Sequence, residues 1–162
     1  MQYSLDQADV IIDLAQQSLK VVKTQQVYRI SSGKNGIGEQ ENSGKTPRGW
    51  HRIAQKIGAE HAKNAVFIGR QWTGEIYNAD LAAEYPERDW ILSRILWLDG
   101  LEENFNCGDG CDTFKRYIYI HGTPDTEPMG IPMSHGCIRM HNTEVIDIFN
   151  LLNEGDLVYL VE

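Results

Sequence analysis

Phe114-Lys115-Arg116-Tyr117-Ile118-Tyr119-Ile120 sets β-formers in alternation with no breaker, so the run reads as a strand with His121 at its end. On such a strand Tyr117 and Tyr119 share the face of His121 and wall the cleft it opens on. One loop later comes Ser134-His135-Gly136-Cys137-Ile138-Arg139-Met140, so that two histidines, His121 before the loop and His135 after it, stand near a single cysteine in the sequence. A thiol is a strong nucleophile when its thiolate is stabilised, and a histidine within hydrogen-bond reach is the commonest device for that. Cys137 follows a glycine, on a turn that leaves its amide available. A small buried apolar cysteine is the plain alternative, but it does not account for Ser-His-Gly in front of Cys137 or for His121 upstream.

His121-Gly122 followed by Ser134-His135-Gly136-Cys137 resembles the active-site signature of the YkuD-type L,D-transpeptidase catalytic domain, Ser/Thr-His-Gly-Cys preceded by a histidine. Thr46-Pro47-Arg48-Gly49 resembles the same family's Thr-Pro-x-Gly element. The resemblance extends from about Val10 to about Val161. It implies a mainly β, sandwich-like fold with a lid over the cleft and one helix in the C-terminal region, and it calls for no cofactor. By this resemblance Cys137 is the nucleophile, His121 the base, and the Gly122 carbonyl the group that fixes the base's tautomer. The amides of Gly136 and Cys137 form an oxyanion hole, and His135 touches the substrate carbonyl. Ser134, Tyr119 and Arg139 join as substrate-binding residues. Arg139 stands where the motif often has Asn, and a guanidinium there would grip a carboxylate in bidentate fashion; an arginine on the turn before a helix is the alternative.

The substrate implied is the peptidoglycan stem tetrapeptide, cut between its diamino acid and the terminal D-alanine through a thioester on Cys137. Water as acceptor makes the enzyme an L,D-carboxypeptidase; an amine on a second stem makes it a cross-linking transpeptidase. Carbapenems acylate this family. Two other classes fit less of the sequence: a zinc hydrolase using His121, His135, His141 and Cys137, and an inactive peptidoglycan-binding module.

A chain of 162 residues suits one domain, 1–162, with a sizeable core. Its net charge of -8 disfavours nucleic acid and anionic membrane surfaces as partners. The first residues carry Asp6 and Asp9, no Lys or Arg before Lys20, and an apolar run cut short by Asp13. This is unlike a secretory signal and points to the cytoplasm, or to the periplasm if an export segment precedes this chain. Three cysteines, an odd number, fit a reducing compartment. A cytoplasmic carboxypeptidase trimming tetrapeptides during recycling is therefore expected ahead of a transpeptidase.

Residues 5–20 carry helical spacing, yet Val10 to Ala15, Ser18 to Lys23 and Gln26 to Ser31 also read as short strands, and the resemblance favours the strands. Gly44-Lys45-Thr46 imitates the end of a phosphate-binding loop, but the position that requires the first glycine is Glu39. Trp50 to Ile57, Val66 to Ile68 and Glu75 to Tyr77 read as strands, Asp89 to Leu98 is apolar enough to be buried, and the resemblance implies that Leu92 to Leu98 is a strand near the cleft. A short helix follows Asn78. Arg94, inside that apolar run, is either an edge charge or a cleft residue. Cys107 and Cys111 sit in a glycine-rich loop without the second pair that a structural zinc site needs. Asn142 reads as the cap of a helix from about Thr143 to Asn153, stopped by Gly155, and Asp156 to Val161 as a closing strand.

Overall fold

The computed structural model describes residues 2–162. Three short strands open the chain: β1 (Val10–Asp13), β2 (Ser18–Val21) and β3 (Gln26–Arg29). They pair antiparallel in a meander whose turns place Gln17 and Gln25 at positive φ. Helical spacing loses here because every second residue, Val10, Ile12, Leu19 and Val21, reaches the core with no exposure.

The meander joins a longer sheet made of β4 (Gly49–Ile57), β5 (Ala65–Ile68), β6 (Gln71–Ile76), β7 (Ile91–Gly100), β8 (Tyr119–Thr123), β9 (Ile138–His141) and β10 (Leu157–Val161). Its order is β3-β2-β1-β10-β4-β7-β5-β6, and β7 also carries β8, which in turn pairs in parallel with β9. The result is a mainly β fold in a curled sheet. α1 (Ala79–Glu84) is short and capped by Asn78, whose side chain accepts from the Leu81 amide at 2.8 Å. α2 (Asn142–Leu151) lies inside the curl. Its Val145, Ile148 and Phe149 are buried with Leu96, Ile120, Ile138 and Met140 in the main core. Each such side chain contributes about 1.5–3 kcal/mol.

Three expectations about these elements need correction. The 114–120 run is not one strand, because only Tyr119 and Ile120 of it belong to β8 and His121 lies mid-strand. The Asp112 carboxylate accepts from the Lys115 amide at 3.0 Å and curls the chain. Phe114 then stacks on Trp97 with centroids 4.0 Å apart, and Tyr117 turns outward at φ 57°. Asn142 is not the cap either. His141 is the residue before the helix, and Asn142 is its first residue, fully buried. The helix also stops before Gly155, which instead forms the turn into β10.

β7 is the spine of the site. Its pairing with β8 slips between Leu92 and Ile95, so Ser93 and Arg94 bulge out of register. Ser93 sits at φ 70°, and its hydroxyl donates to Asn142 Oδ1 at 2.6 Å. Arg94 is neither at an edge nor in the cleft. It is buried, donates to the carbonyls of His61 and Ser93, and lies 5.4 Å over the Phe149 ring.

Candidate active site

β8 and β9 run parallel with His121 opposite Arg139, and Cys137 comes one step before β9. Counting back two residues from Arg139 puts Cys137 on the same face as His121, beside Tyr119. The thiol packs against the cluster of Phe67, Ile95, Trp97 and Tyr119. β9 had no counterpart in the sequence reading, since four residues between a glycine turn and a helix carry too little periodicity to mark a strand.

His121 is 1% exposed, and its Nδ1 lies 2.6 Å from the Gly122 carbonyl. A carbonyl only accepts, so Nδ1 holds the proton and Nε2 carries the lone pair that a base needs. Burial drives the His121 pKa down, against the pull of the Gly122 carbonyl and Asp89, so the ring is neutral. Gly122 has no room for a side chain: a Cβ would stand 2.5 Å from both Asn142 Oδ1 and the Leu92 carbonyl. The Asn142 amide group also donates to the Thr123 carbonyl at 2.8 Å. That asparagine therefore locks the strand segment carrying His121 to the bulge of β7.

Cys137 Sγ donates to the Tyr117 carbonyl at 3.4 Å and accepts from the Tyr119 amide at 3.3 Å. Burial pushes its pKa up to about 12, with the Tyr119 amide pulling the other way. No hydrogen bond joins it to His121 among the described residues. The resting pair is a neutral thiol beside a neutral imidazole, rather than a thiolate kept ionised by its neighbour.

The motif loop is braced from within. Ser134 is 2% exposed, its hydroxyl donates to the Cys137 carbonyl at 2.5 Å, and it accepts from the Gly136 amide at 3.1 Å. Ser134 is therefore a loop brace and has no face for substrate. The Gly136 amide is spent on that brace as well, which leaves Cys137 as the amide of the expected pair with no partner among the described residues. Gly136 stands at φ 124°, where a Cβ would meet the Lys45 carbonyl at 3.1 Å. Thr46 fastens the other side, accepting from the Gly33 amide and donating to the Gly136 carbonyl, both at 2.8 Å. The Gly44-Lys45-Thr46 run is thus a strut under the loop that carries Cys137. Glu39, which spoils the phosphate-loop pattern, holds Arg48 with two 3.0 Å bonds.

Arg139 already holds a carboxylate, and it belongs to the protein. Its Nη2 donates to Asp89 at 2.9 Å, the residue is 9% exposed, and its Nε has no partner. The guanidinium expected to grip a substrate carboxylate is paired within the protein in this structure. His135 is exposed, with Nδ1 3.4 Å from the other oxygen of Asp89. Burial pushes the Asp89 carboxyl up, but His121, Arg139 and His135 outweigh it and hold the group below the usual carboxylate range. Asp89, just ahead of β7, escaped the sequence reading because nothing local marks it. Only the fold brings it to Arg139, 50 residues on.

Tyr119 is 4% exposed and presents its hydroxyl to Arg70 Nη1 at 3.0 Å. Tyr117 is half exposed, off the strand it was expected to share with Tyr119. A cleft of about 270 Å³ opens beside the motif between Asn42, Lys115, Arg116, Tyr117 and His135. A larger hollow of about 400 Å³, between Arg48, Trp50, Glu102 and Tyr159, touches none of the motif residues. In the Cys107–Cys111 loop the Cys111 thiol turns to the Cys107 carbonyl at 3.6 Å. Among the described residues no group of three His, Cys, Asp or Glu side chains is gathered to hold a metal ion.

A curled mainly β sheet that sets a buried histidine on one strand and a cysteine at the start of its parallel neighbour describes the class of a cysteine enzyme. Residues 7–160 match the YkuD model, the L,D-transpeptidase catalytic domain, and the chain belongs to that family. Two Bacillus subtilis proteins share stretches with it: "Putative L,D-transpeptidase YqjB", 41% identical over 54 residues, and a second named likewise for YkuD, 41% over 44. These stretches cover 33% and 27% of this chain, and 31% and 27% of those proteins. Mycobacterium tuberculosis L,D-transpeptidase 3, solved with a faropenem-derived adduct, superposes with a TM-score of 0.56 at 15% identity. That match covers 94% of this chain and 59% of the other. An Enterococcus faecium L,D-transpeptidase with its cysteine mutated to serine gives 0.55 at 17% identity, over 96% and 50%. At such identities the likeness is one of fold.

Proposed function

We propose that this chain performs acyl transfer on the peptidoglycan stem tetrapeptide, at the bond between the diamino acid and the terminal D-alanine. The observation that carries this reading is the placement of Cys137 beside His121 on one face of the β8–β9 pair, with His121 Nδ1 held by Gly122. Cys137 Sγ attacks the diamino-acid carbonyl carbon while its proton passes to His121 Nε2. The oxyanion that forms is met by the Cys137 amide; one such donor is worth about 10²–10³ in rate. His121 returns the proton to the amine of D-alanine as the C–N bond breaks, leaving a thioester. Water, deprotonated by the same imidazole, then releases the tripeptide and restores the thiol.

Hydrolysis in the cytoplasm is the preferred form of this reading. A surface with net charge -8 repels an extended anionic wall polymer more than it does a single short peptide. The cross-linking alternative draws support from the names of the relatives, all L,D-transpeptidases. Incubation with free tetrapeptide separates the two. Tripeptide plus D-alanine is the expected outcome; cross-linked dimer would replace hydrolysis by transpeptidation, and no product of either kind would overturn the substrate.

A further inference from the structure

Of the guanidinium groups around this site, Arg116 in the cleft is spent on the Gly38 and Lys45 carbonyls, whereas Arg139 and Arg70 stand in opposite states. Arg139 is buried and already neutralised by Asp89. Arg70 has no acidic side chain within ion-pair distance among the described residues, although the chain carries 23 acidic residues. Its position is built by the fold. Gly69 and Arg70 form a two-residue turn between Ile68 and Gln71, both at positive φ, so the β5–β6 hairpin ends sharply. The guanidinium lies 4.9 Å from the Trp97 ring centre and 4.8 Å from that of Tyr117, and Nη1 donates to the Tyr119 hydroxyl. Two aromatic faces and one hydroxyl orient the fork without cancelling its charge. Tyr117 and Tyr119 are also the two residues whose backbone groups hold Cys137 Sγ.

We propose that Arg70 is the seat for the free carboxylate of the leaving residue. This inference rests on the reading of the substrate given above. In a tetrapeptide that carboxylate is three bonds from the attacked carbonyl carbon. An oriented, unpaired guanidinium held on Tyr117 and Tyr119, the residues whose backbone groups hold the thiol, selects substrates that end at the leaving residue. It also explains why Arg139 can be given over to Asp89 without the site losing its grip on an anion.

The test compares tetrapeptide with its C-terminal amide in the wild-type protein and in Arg70→Gln, with Arg70→Lys as the charge-retaining variant. Arg88→Gln, which removes a guanidinium paired to Glu75, controls for net charge. Wild type should prefer the acid by about tenfold or more in kcat/KM, mostly through KM. Arg70→Gln should erase that preference, Arg70→Lys keep part of it, and Arg88→Gln keep it all. A preference unchanged in Arg70→Gln, or absent from wild type that turns over both peptides, overturns the proposal.

A second measurement stands apart from the peptide. Alkylation of Cys137 by 4-bromocrotonate, whose carboxylate is also three bonds from the attacked carbon, should outpace alkylation by its amide in wild type but not in Arg70→Gln. If neither peptide is cleaved yet this difference is found, the substrate reading fails and the anion seat stands. If the two reagents react alike with wild type, the seat itself is refuted.

Discussion

The chemistry of Cys137 is set by what surrounds its sulfur rather than by the motif alone. A thiol whose pKa is pushed up to about 12 and which is bonded to the Tyr117 carbonyl is a protonated resting nucleophile. Iodoacetamide labelling of Cys137 in the free protein should therefore keep climbing from pH 7 to pH 10; a plateau below pH 7 would reveal a resting thiolate–imidazolium pair. His121 is shifted the other way, down from the usual histidine value. The acidic limb of kcat/KM should accordingly fall below about pH 6.5. His121→Ala should lower turnover by about 10²–10⁴. Gly122→Ala tests the close approach at the base: with Asn142 and Leu92 already at 2.5 Å from the added Cβ, the change should cost about 2 kcal/mol or more in chemical denaturation.

Among the elements, the link from the β7 bulge through Asn142 to β8 holds the strand of His121 in place. Asn142→Ala leaves the buried Thr123 carbonyl and the Ser93 hydroxyl without their partner. The loss should be about 1–3 kcal/mol of unfolding free energy, with turnover falling further than stability alone explains. Unchanged stability would remove Asn142 from this role. The same residue shows where sequence reading reaches its limit. Asparagine before a helix suggests a cap, and only the fold reveals that its side chain spans from Ser93 to Thr123. That Cys137, His121 and Gly122 come together was legible because the motif is contiguous and chemically specific. The opening meander was legible only with help from the family resemblance, since helical and strand spacing overlap in so short a stretch. Asp89 and Arg70 were not legible, because each meets its partners across 49 or 50 residues. The 114–117 turn was hidden by β-forming residues whose curl is decided by Asp112 and by stacking on Trp97.

For the molecule as a whole, acid sensitivity should centre on His51, buried on β4. Its Nδ1 faces the Gly49 carbonyl at 3.0 Å and its Nε2 the Thr113 hydroxyl at 2.8 Å. Burial lowers its pKa to about 4, against about 6.5 in the unfolded chain. The unfolded state thus binds the extra proton first, so stability is intact above about pH 6.5 and falls as the pH drops toward 4. The loss amounts to about 3 kcal/mol. Denaturant midpoints measured across that range should show this slope, and His51→Gln should flatten it; an equal slope in the variant would contradict the assignment.

The central claim is that Cys137, on this curled sheet, is the atom acylated during turnover. Mass spectrometry of the protein after exposure to a carbapenem such as imipenem tests it most directly. One adduct of drug mass is expected on the peptide containing Cys137, and none in Cys137→Ala. An adduct that persists in that variant, or that appears on Cys107 or Cys111 instead, would contradict the account.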